Sequence, residues 1–419
     1  MRILLVNTSE RTGGAAIAAN RLMHALWHIG AEAKMLVRDR STRATNVVSL
    51  PKSPMLRVRF VAERAQIFLE NKLHKHRLFE VDTASFGTDI TQLPEFKEAD
   101  VVHLHWINQG FLSLSDIAKI LRSGKPLVWT LHDMWPCTGI CHYSQGCGRW
   151  MQGCGQCPIL LKGSARDLSY RTYLKKQQTY AAGRIHFVAC SDWLAQIAQQ
   201  APLLAGHPVE SIPNAIDTHV YSPAEKLTAR RHLGLPGNKT VLLFVAYKAT
   251  DPIKGIKHFR EALNHLQEQN PALIGNLHVV VVGREATSLR ESFPCPATTF
   301  EYVSDERTLR DLYNAANLLM MPTLQDNLPN TIVEAMACGL PCVGFRVGGL
   351  PQLIETGFNG YLAEPQQATD FAKGIAYCLD TQRSEQMSQN ARQRALRTFS
   401  EEAVANRYMQ IYNSIVSNP

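Results

Sequence analysis

Short runs of β-branched and aliphatic residues recur along the chain, and each is followed by a stretch with helical periodicity. In the first half the runs are RILLVN, AKMLV, DVVHLH, PLVWTL, IHFVAC and VESIP; the second half holds TVLLFVAY, LHVVVVG, TTFEYV, NLLMMP, PCVGF and NGYLA. Such runs read as strands covered on both faces, and strands that alternate with helices pair in parallel. The pattern predicts two open α/β sheets in tandem. At 419 residues the chain exceeds one ordinary core and suits two domains. The segment SIPNAIDTHVYSPAEK, polar and broken by prolines, places the boundary near residue 222. The expected division is 1–222, then 223–400, then a C-terminal helix over 401–419 that belongs to either domain, packing back on the first being one option.

With 45% apolar and 19% charged residues, the composition is that of a soluble globular protein. No apolar run reaches the roughly 18 residues of a membrane span, and the start, MRILLVNTSERTGG, reads as a buried strand entering a glycine loop rather than a signal peptide. A cytoplasmic location is expected. The formal net charge of +8 suits an anionic partner, whether nucleic acid, acidic lipid or a phosphorylated small molecule.

Ligands of open parallel sheets sit beyond the carboxyl ends of the strands. After the first strand, Gly13 and Gly14 precede a helix and allow an anion close to the backbone; the spacing is not the G-x-G-x-x-G of nicotinamide binders. His103, His105, His132 and Asp133 cluster at the ends of DVVHLH and PLVWTL. In the second half, AYKATDPIKGIKHF offers Lys248, Lys254 and a helix start at Gly255, a way of holding a diphosphate without metal. GFRVGGLPQL is a further glycine loop opening into a helix. Between them stands QDNLPNTIVEAMACGLPCV, where Asp326 and Glu334 flank seven mostly uncharged residues. Thr331 and Glu334 also spell a capping box, with Gly339 and Pro341 ending the helix. Three loops converging on one crevice favour ligand binding over capping alone.

Together these motifs resemble the retaining nucleotide-sugar glycosyltransferases of the GT-B fold, in the large group 1, family 4-like set that includes bacterial exopolysaccharide, colanic acid and lipopolysaccharide enzymes. The resemblance rests on the Gly-Gly loop, IPNAID, the loop from Lys248 to Gly255 and the block from Asp326 to Leu362, and it covers essentially the whole chain. It implies two Rossmann-like domains facing a central cleft, which close on the donor. Lys248 and Lys254 then match the diphosphate ligands, Glu334 the ribose ligand, and Asp326 the acid near the transferred sugar; His132 contacts the sugar from the first domain. Asn330, Thr331, Gly13 and Gly14 count with the donor-binding residues. Three departures stand out: Asp326 replaces the first glutamate of E-x7-E, Lys248 a common arginine, and Ala215 the glycine of an Asn-Gly pair. The implied reaction moves a hexosyl group from a UDP- or GDP-sugar to a saccharide or polyprenyl-linked acceptor, in cell-surface polysaccharide synthesis. No D-x-D triplet occurs, so no catalytic metal or other cofactor is expected.

Two further stretches call for their own reading. Five of the ten cysteines fall in CTGICHYSQGCGRWMQGCGQCP, within residues 137–158, the cysteines themselves spanning 137–157. Cys141, Cys147, Cys154 and Cys157 can wrap a tetrahedral structural zinc, with disulfides or free thiols as alternatives; colanic acid relatives carry a similar loop. The segment from Lys52 to Arg77 holds Lys52, Arg57, Arg59, Arg64, Lys72, Lys75 and Arg77 among Leu56, Phe60, Val61, Ile67, Phe68 and Leu73. It reads as a basic amphipathic helix, either packed on the core or docked peripherally on anionic lipid at the inner face of the plasma membrane. Competing functions are a sugar-nucleotide epimerase, a pyridoxal-dependent phosphorylase and a zinc-containing nucleic-acid binder; no nucleic-acid-reading motif accompanies the charge, and no nucleic acid is expected as partner.

Overall fold

The computed structural model describes residues 1–51 and 53–417, so Lys52 lies outside the described residues. The chain forms two compact units. The first comprises Met1–Ala215 with the C-terminal helical residues from Val404 onward, and the second Ile216–Ala403.

The first unit holds seven parallel strands: β1 (Arg2–Ser9), β2 (Glu32–Asp39), β3 (Val47–Ser49), β4 (Val101–Leu104), β5 (Leu127–Leu131), β6 (His186–Ala189) and β7 (Val209–Ser211). Their order is β3-β2-β1-β4-β5-β6-β7. Strand β1 is central, pairing Ile3 with Ala33 on one side and Val101 on the other. Because side chains alternate across a strand, Leu4 and Val6 enter a core with Trp129 and Phe187 on one face, while Ile3 and Leu5 enter a core with Met23 and Leu26 on the other. The C-terminal helix Glu401–Ser417 closes that second core with Val404, Tyr408, Ile411 and Tyr412.

The second unit holds six parallel strands: β8 (Thr240–Lys248), β9 (Leu277–Arg284), β10 (Ala297–Phe300), β11 (Leu318–Met321), β12 (Cys342–Phe345) and β13 (Gly360–Ala363). Their order is β10-β9-β8-β11-β12-β13, that of the Rossmann dinucleotide fold. All twelve runs read from the sequence are strands. The thirteenth, β3, escapes because VVS is three residues long and carries no period. In each sheet the order reverses beside one central strand, between β1 and β4 and between β8 and β11, which is where open α/β sheets bind ligands. No helix among the described residues is long and apolar enough to cross a membrane.

Candidate functional site

At the reversal point of the second sheet, three loops are packed against one another. After β8, Asp251 caps a short turn by accepting the Ile253 amide at 3.0 Å, and the turn ends at Gly255, which opens the helix Ile256–Gln269. Gly255 has φ +74°, and a Cβ there would lie 1.8 Å from the Pro322 carbonyl oxygen. Only glycine fits so close to the chain leaving β11. The loop after β11 returns the contact: the Leu324 amide and the Thr323 hydroxyl donate to the Ile253 carbonyl at 2.8 and 3.1 Å. The loop after β12 completes the group, with the Gly349 amide donating to the Asp326 carbonyl at 3.2 Å and Gly348 (φ +52°) lying against the same oxygen.

Lys254 and Asp326 meet in the middle. Nζ donates to Oδ2 at 2.7 Å, the side chains being 30% and 15% exposed. Burial works against the ammonium, but Asp326 more than offsets it, and the Lys254 pKa stands above the usual lysine value. Lys248, beyond a register shift at the end of β8, pairs instead with Glu285 at 2.9 Å, both half exposed. Different carboxylates therefore hold the two lysines, on either side of one loop. Arg284 lies over the rings of Tyr247 and Tyr302 at 4.5 and 5.8 Å.

The helix Asn330–Ala337 corrects the capping expectation. Its N-cap is Pro329, with no side-chain cap bond, because Thr331 and Glu334 both lie inside the helix. Thr331 turns its hydroxyl to the Met321 sulfur at 4.0 Å. Glu334 is 5% exposed and takes a 2.6 Å hydrogen bond from the buried hydroxyl of Tyr313. A glutamate at a helix start needs no such burial, so its carboxylate serves something other than a cap. The other end is as read: Gly339 (φ +72°) donates to the Met336 carbonyl and Leu340 to that of Ala335, a Schellman stop.

In the first unit the reversal point gathers the glycine loop and the histidines. Gly13 (φ +91°) is the N-cap of the helix Gly14–His28, with open space where a side chain would be. Half-buried His132, just past β5, shares a 3.0 Å hydrogen bond between its Nε2 and Nδ1 of His105. Burial lowers the His132 pKa to about 4, and holds His105 well below the usual histidine value. Beneath them His103, lowered to about 3 by burial, bonds the Tyr412 hydroxyl at 2.7 Å and Thr130 at 2.8 Å. Thr130 in turn meets the Tyr408 hydroxyl at 2.8 Å. All three imidazoles are thus neutral near pH 7.

A second buried group was not foreseen. His142 sits between Asp133 and Asp82, 2.7 Å from each. Burial disfavours its charge, but the two carboxylates prevail and raise its pKa to about 10. Asp133 also accepts from the Trp106 indole at 3.0 Å, while Arg64 reaches Asp82 and lies 3.7 Å from Glu63. No spacing rule announces this chain, since its members come from a helix, a loop, a strand end and the cysteine stretch. The helix Pro54–Glu70 buries Glu63, Arg64 and Ile67 and leaves Met55, Val58, Val61 and Leu69 exposed, as is Leu73 beyond it. Arg57, Lys72 and Lys75 are exposed beside this apolar stripe. In the cysteine loop all five thiols are free, and among the described residues no three His, Cys, Asp or Glu side chains are already set at metal-ligand spacing.

Residues 12–220 match the family described as Glycosyltransferase Family 4, and residues 239–381 the one described as Glycosyl transferases group 1. The chain thus carries a family 4-like glycosyltransferase half followed by a group 1 half, each on a Rossmann-like parallel sheet. A D-inositol 3-phosphate glycosyltransferase of Stackebrandtia nassauensis is 30% identical over 174 residues, 39% of either chain, so about two fifths of that relative's length is spanned. One of the same name from Actinosynnema mirum is 25% identical over 377 residues, 87% of this chain and 83% of that one. HepE of Anabaena, solved in complex with UDP, has the same fold, with a TM-score of 0.64 at 17% identity, over 99% of this chain and 100% of that one.

Proposed function

We propose that the chain transfers a hexosyl group, with retention of configuration, from a nucleotide-diphosphate sugar to a saccharide or lipid-linked saccharide acceptor in cell-surface polysaccharide synthesis. The observation that carries this reading is the Lys254–Asp326 pair at the reversal point of the second sheet, set among three helix-opening loops with the buried carboxylate of Glu334 near by in sequence. A diphosphate would draw Lys254 from Asp326, since a phosphate competes with a carboxylate for the same ammonium. It would release Asp326 toward the sugar and leave Lys248, with the helix starts, to share the leaving-group charge. Glu334, held by Tyr313, would accept the ribose hydroxyls. Asn330 and Thr331, at the start of the same helix, belong to the donor site in this reading, as do Gly13 and Gly14 of the first unit. HepE, solved with UDP and with UDP-glucose, supports a nucleotide-sugar donor, with GDP-sugars also open.

Neutral His132 would contact the sugar as hydrogen-bond partner rather than as acid. With no side chain among the described residues placed as nucleophile, the departing diphosphate oxygen takes the acceptor's proton, giving substitution on one face. Product stereochemistry by NMR, with turnover in excess EDTA, tests this. Retention and undiminished turnover are expected; an inverted anomeric centre, or activity restored only by magnesium or manganese, would refute it. The exposed apolar stripe of Pro54–Glu70 and its flanking cations support docking on anionic lipid beside a polyprenyl-linked acceptor. Co-sedimentation with anionic vesicles, weakening as salt rises, is expected; binding to neither anionic nor neutral vesicles would remove the membrane from the account.

A further inference from the structure

We propose that Cys141, Cys147, Cys154 and Cys157 bind one zinc ion as a tetrathiolate, and that this centre is the counter-charge of the buried Lys176. The four cysteines come from 17 residues of chain and line one small cavity of ≈ 20 Å³, together with Trp150 and Arg149. One of these sulfurs already takes a backbone donor: the Gly139 amide donates to Sγ of Cys154 at 3.2 Å. At Cys154 and leading to Cys157 the backbone is held in an unusual shape. Gly153, Cys154, Gly155 and Gln156 all have positive φ (95°, 63°, 88° and 47°), two of them non-glycine, a cost that persists only where surroundings impose it.

Lys176 is the independent observation. Its side chain is fully buried, and its ammonium touches the Trp135 and Thr138 carbonyls and lies 3.3 Å from the centre of the Trp135 ring; among the described residues it forms no salt bridge to a carboxylate. A buried charge without a counter-charge is strongly destabilising. Burial lowers the Lys176 pKa to about 7, and the groups that act against this are the thiols of Cys141, Cys154 and Cys137 and, after them, the Asp133 carboxylate. Four thiols binding Zn²⁺ release four protons to solvent and leave a centre of charge −2. Lys176 beneath and Arg149 at the rim then balance it. Among the described residues no three His, Cys, Asp or Glu side chains are set to hold a metal, so the cysteine side chains would have to turn onto the ion to complete the set. Trp135, two residues past Asp133, accepts the Lys176 bond, so the ion braces the segment that carries His132 and Asp133.

The test is elemental analysis of the full chain purified without chelator, with cobalt(II) exchanged into the same protein. One zinc per chain is expected, and the cobalt form is expected to show the intense visible absorption of a tetrathiolate. Cys154→Ser should lose the metal, and Lys176→Met should bind it more weakly while keeping the spectrum. Should Cys154→Ser fail to fold, the cobalt spectrum of the unmodified chain decides. Less than a tenth of an equivalent of metal with five titratable loop thiols, two disulfides in place of thiols, or a cobalt spectrum without sulfur-to-metal bands would each overturn the proposal.

Discussion

Replacing Tyr313 by Phe isolates the bond that fixes Glu334. The ring stays, so no cavity opens, and the change removes one hydroxyl that donates to a buried carboxylate at 2.6 Å. A hydrogen bond to a charged acceptor contributes about 1.5–3 kcal/mol, and a carboxylate left short of a donor keeps its desolvation cost. The second unit, Ile216–Ala403, falls in the size range where each kcal/mol moves the melting midpoint by about 2–4 °C. Its transition should therefore fall by about 3–12 °C. Thermal unfolding followed by a probe of the second unit reads the loss directly. Glu334→Gln and the double variant close a cycle that must show coupling between the two positions. A Tyr313→Phe loss below about 0.5 kcal/mol, within the range of surface substitutions, would refute the idea that this hydroxyl holds the carboxylate in place. If Tyr313 acts only by positioning Glu334, the Phe variant should also weaken nucleotide binding less than Glu334→Gln does.

Lys254→Ala should weaken nucleoside diphosphate binding by about 1.5–3 kcal/mol, about 10–150-fold; unchanged affinity in a calorimetric titration would remove this lysine from the site. Gly255→Ala must adopt φ +74° and push the Pro322 carbonyl away, costing about 2–5 kcal/mol; a near-neutral denaturation midpoint would contradict the loop packing. The first unit should lose stability as pH falls below 6.5. His132 and His103, neutral in the fold down to about pH 4 and 3, take up protons on unfolding below their ordinary 6.5, so stability is lost as pH falls from there. His142 has the opposite sign: its raised pKa gives stability that is whole below about 6.5 and is lost as pH rises through about 10. Denaturant unfolding from pH 6.5 to 4 checks the acid limb, and stability that does not fall there would contradict the neutral buried imidazoles; on the alkaline side Lys176, lowered to about 7 by burial, acts against His142, so the stability deficit of His142→Gln, which should shrink as pH rises towards 10, isolates that limb.

The fold was legible because parallel strands buried on both faces leave unbroken apolar runs, and twelve of them are present. Loop chemistry was legible where one residue type has one use, as with Gly255 and Gly339, whose positive φ follows from their place at a helix end. Residue pairs were not. The meeting of Lys254 with Asp326 depends on strand order, which brings β8 beside β11 across a long sequence gap. The capping box failed for a related reason: Thr331 and Glu334 have the right spacing, but Pro329 starts the helix earlier and puts both inside it. Likewise His142, lodged among cysteines, gains its charge only from Asp82 and Asp133, which no local pattern links to it.

Hydrogen-exchange mass spectrometry of the full chain, with and without saturating UDP- or GDP-sugar, tests the donor site most directly. The account predicts slower exchange in the segments 248–257, 325–337 and 346–351, and loss of that protection in Lys254→Ala. Protection confined to other segments, or none at concentrations where a nucleotide sugar is turned over, would contradict it.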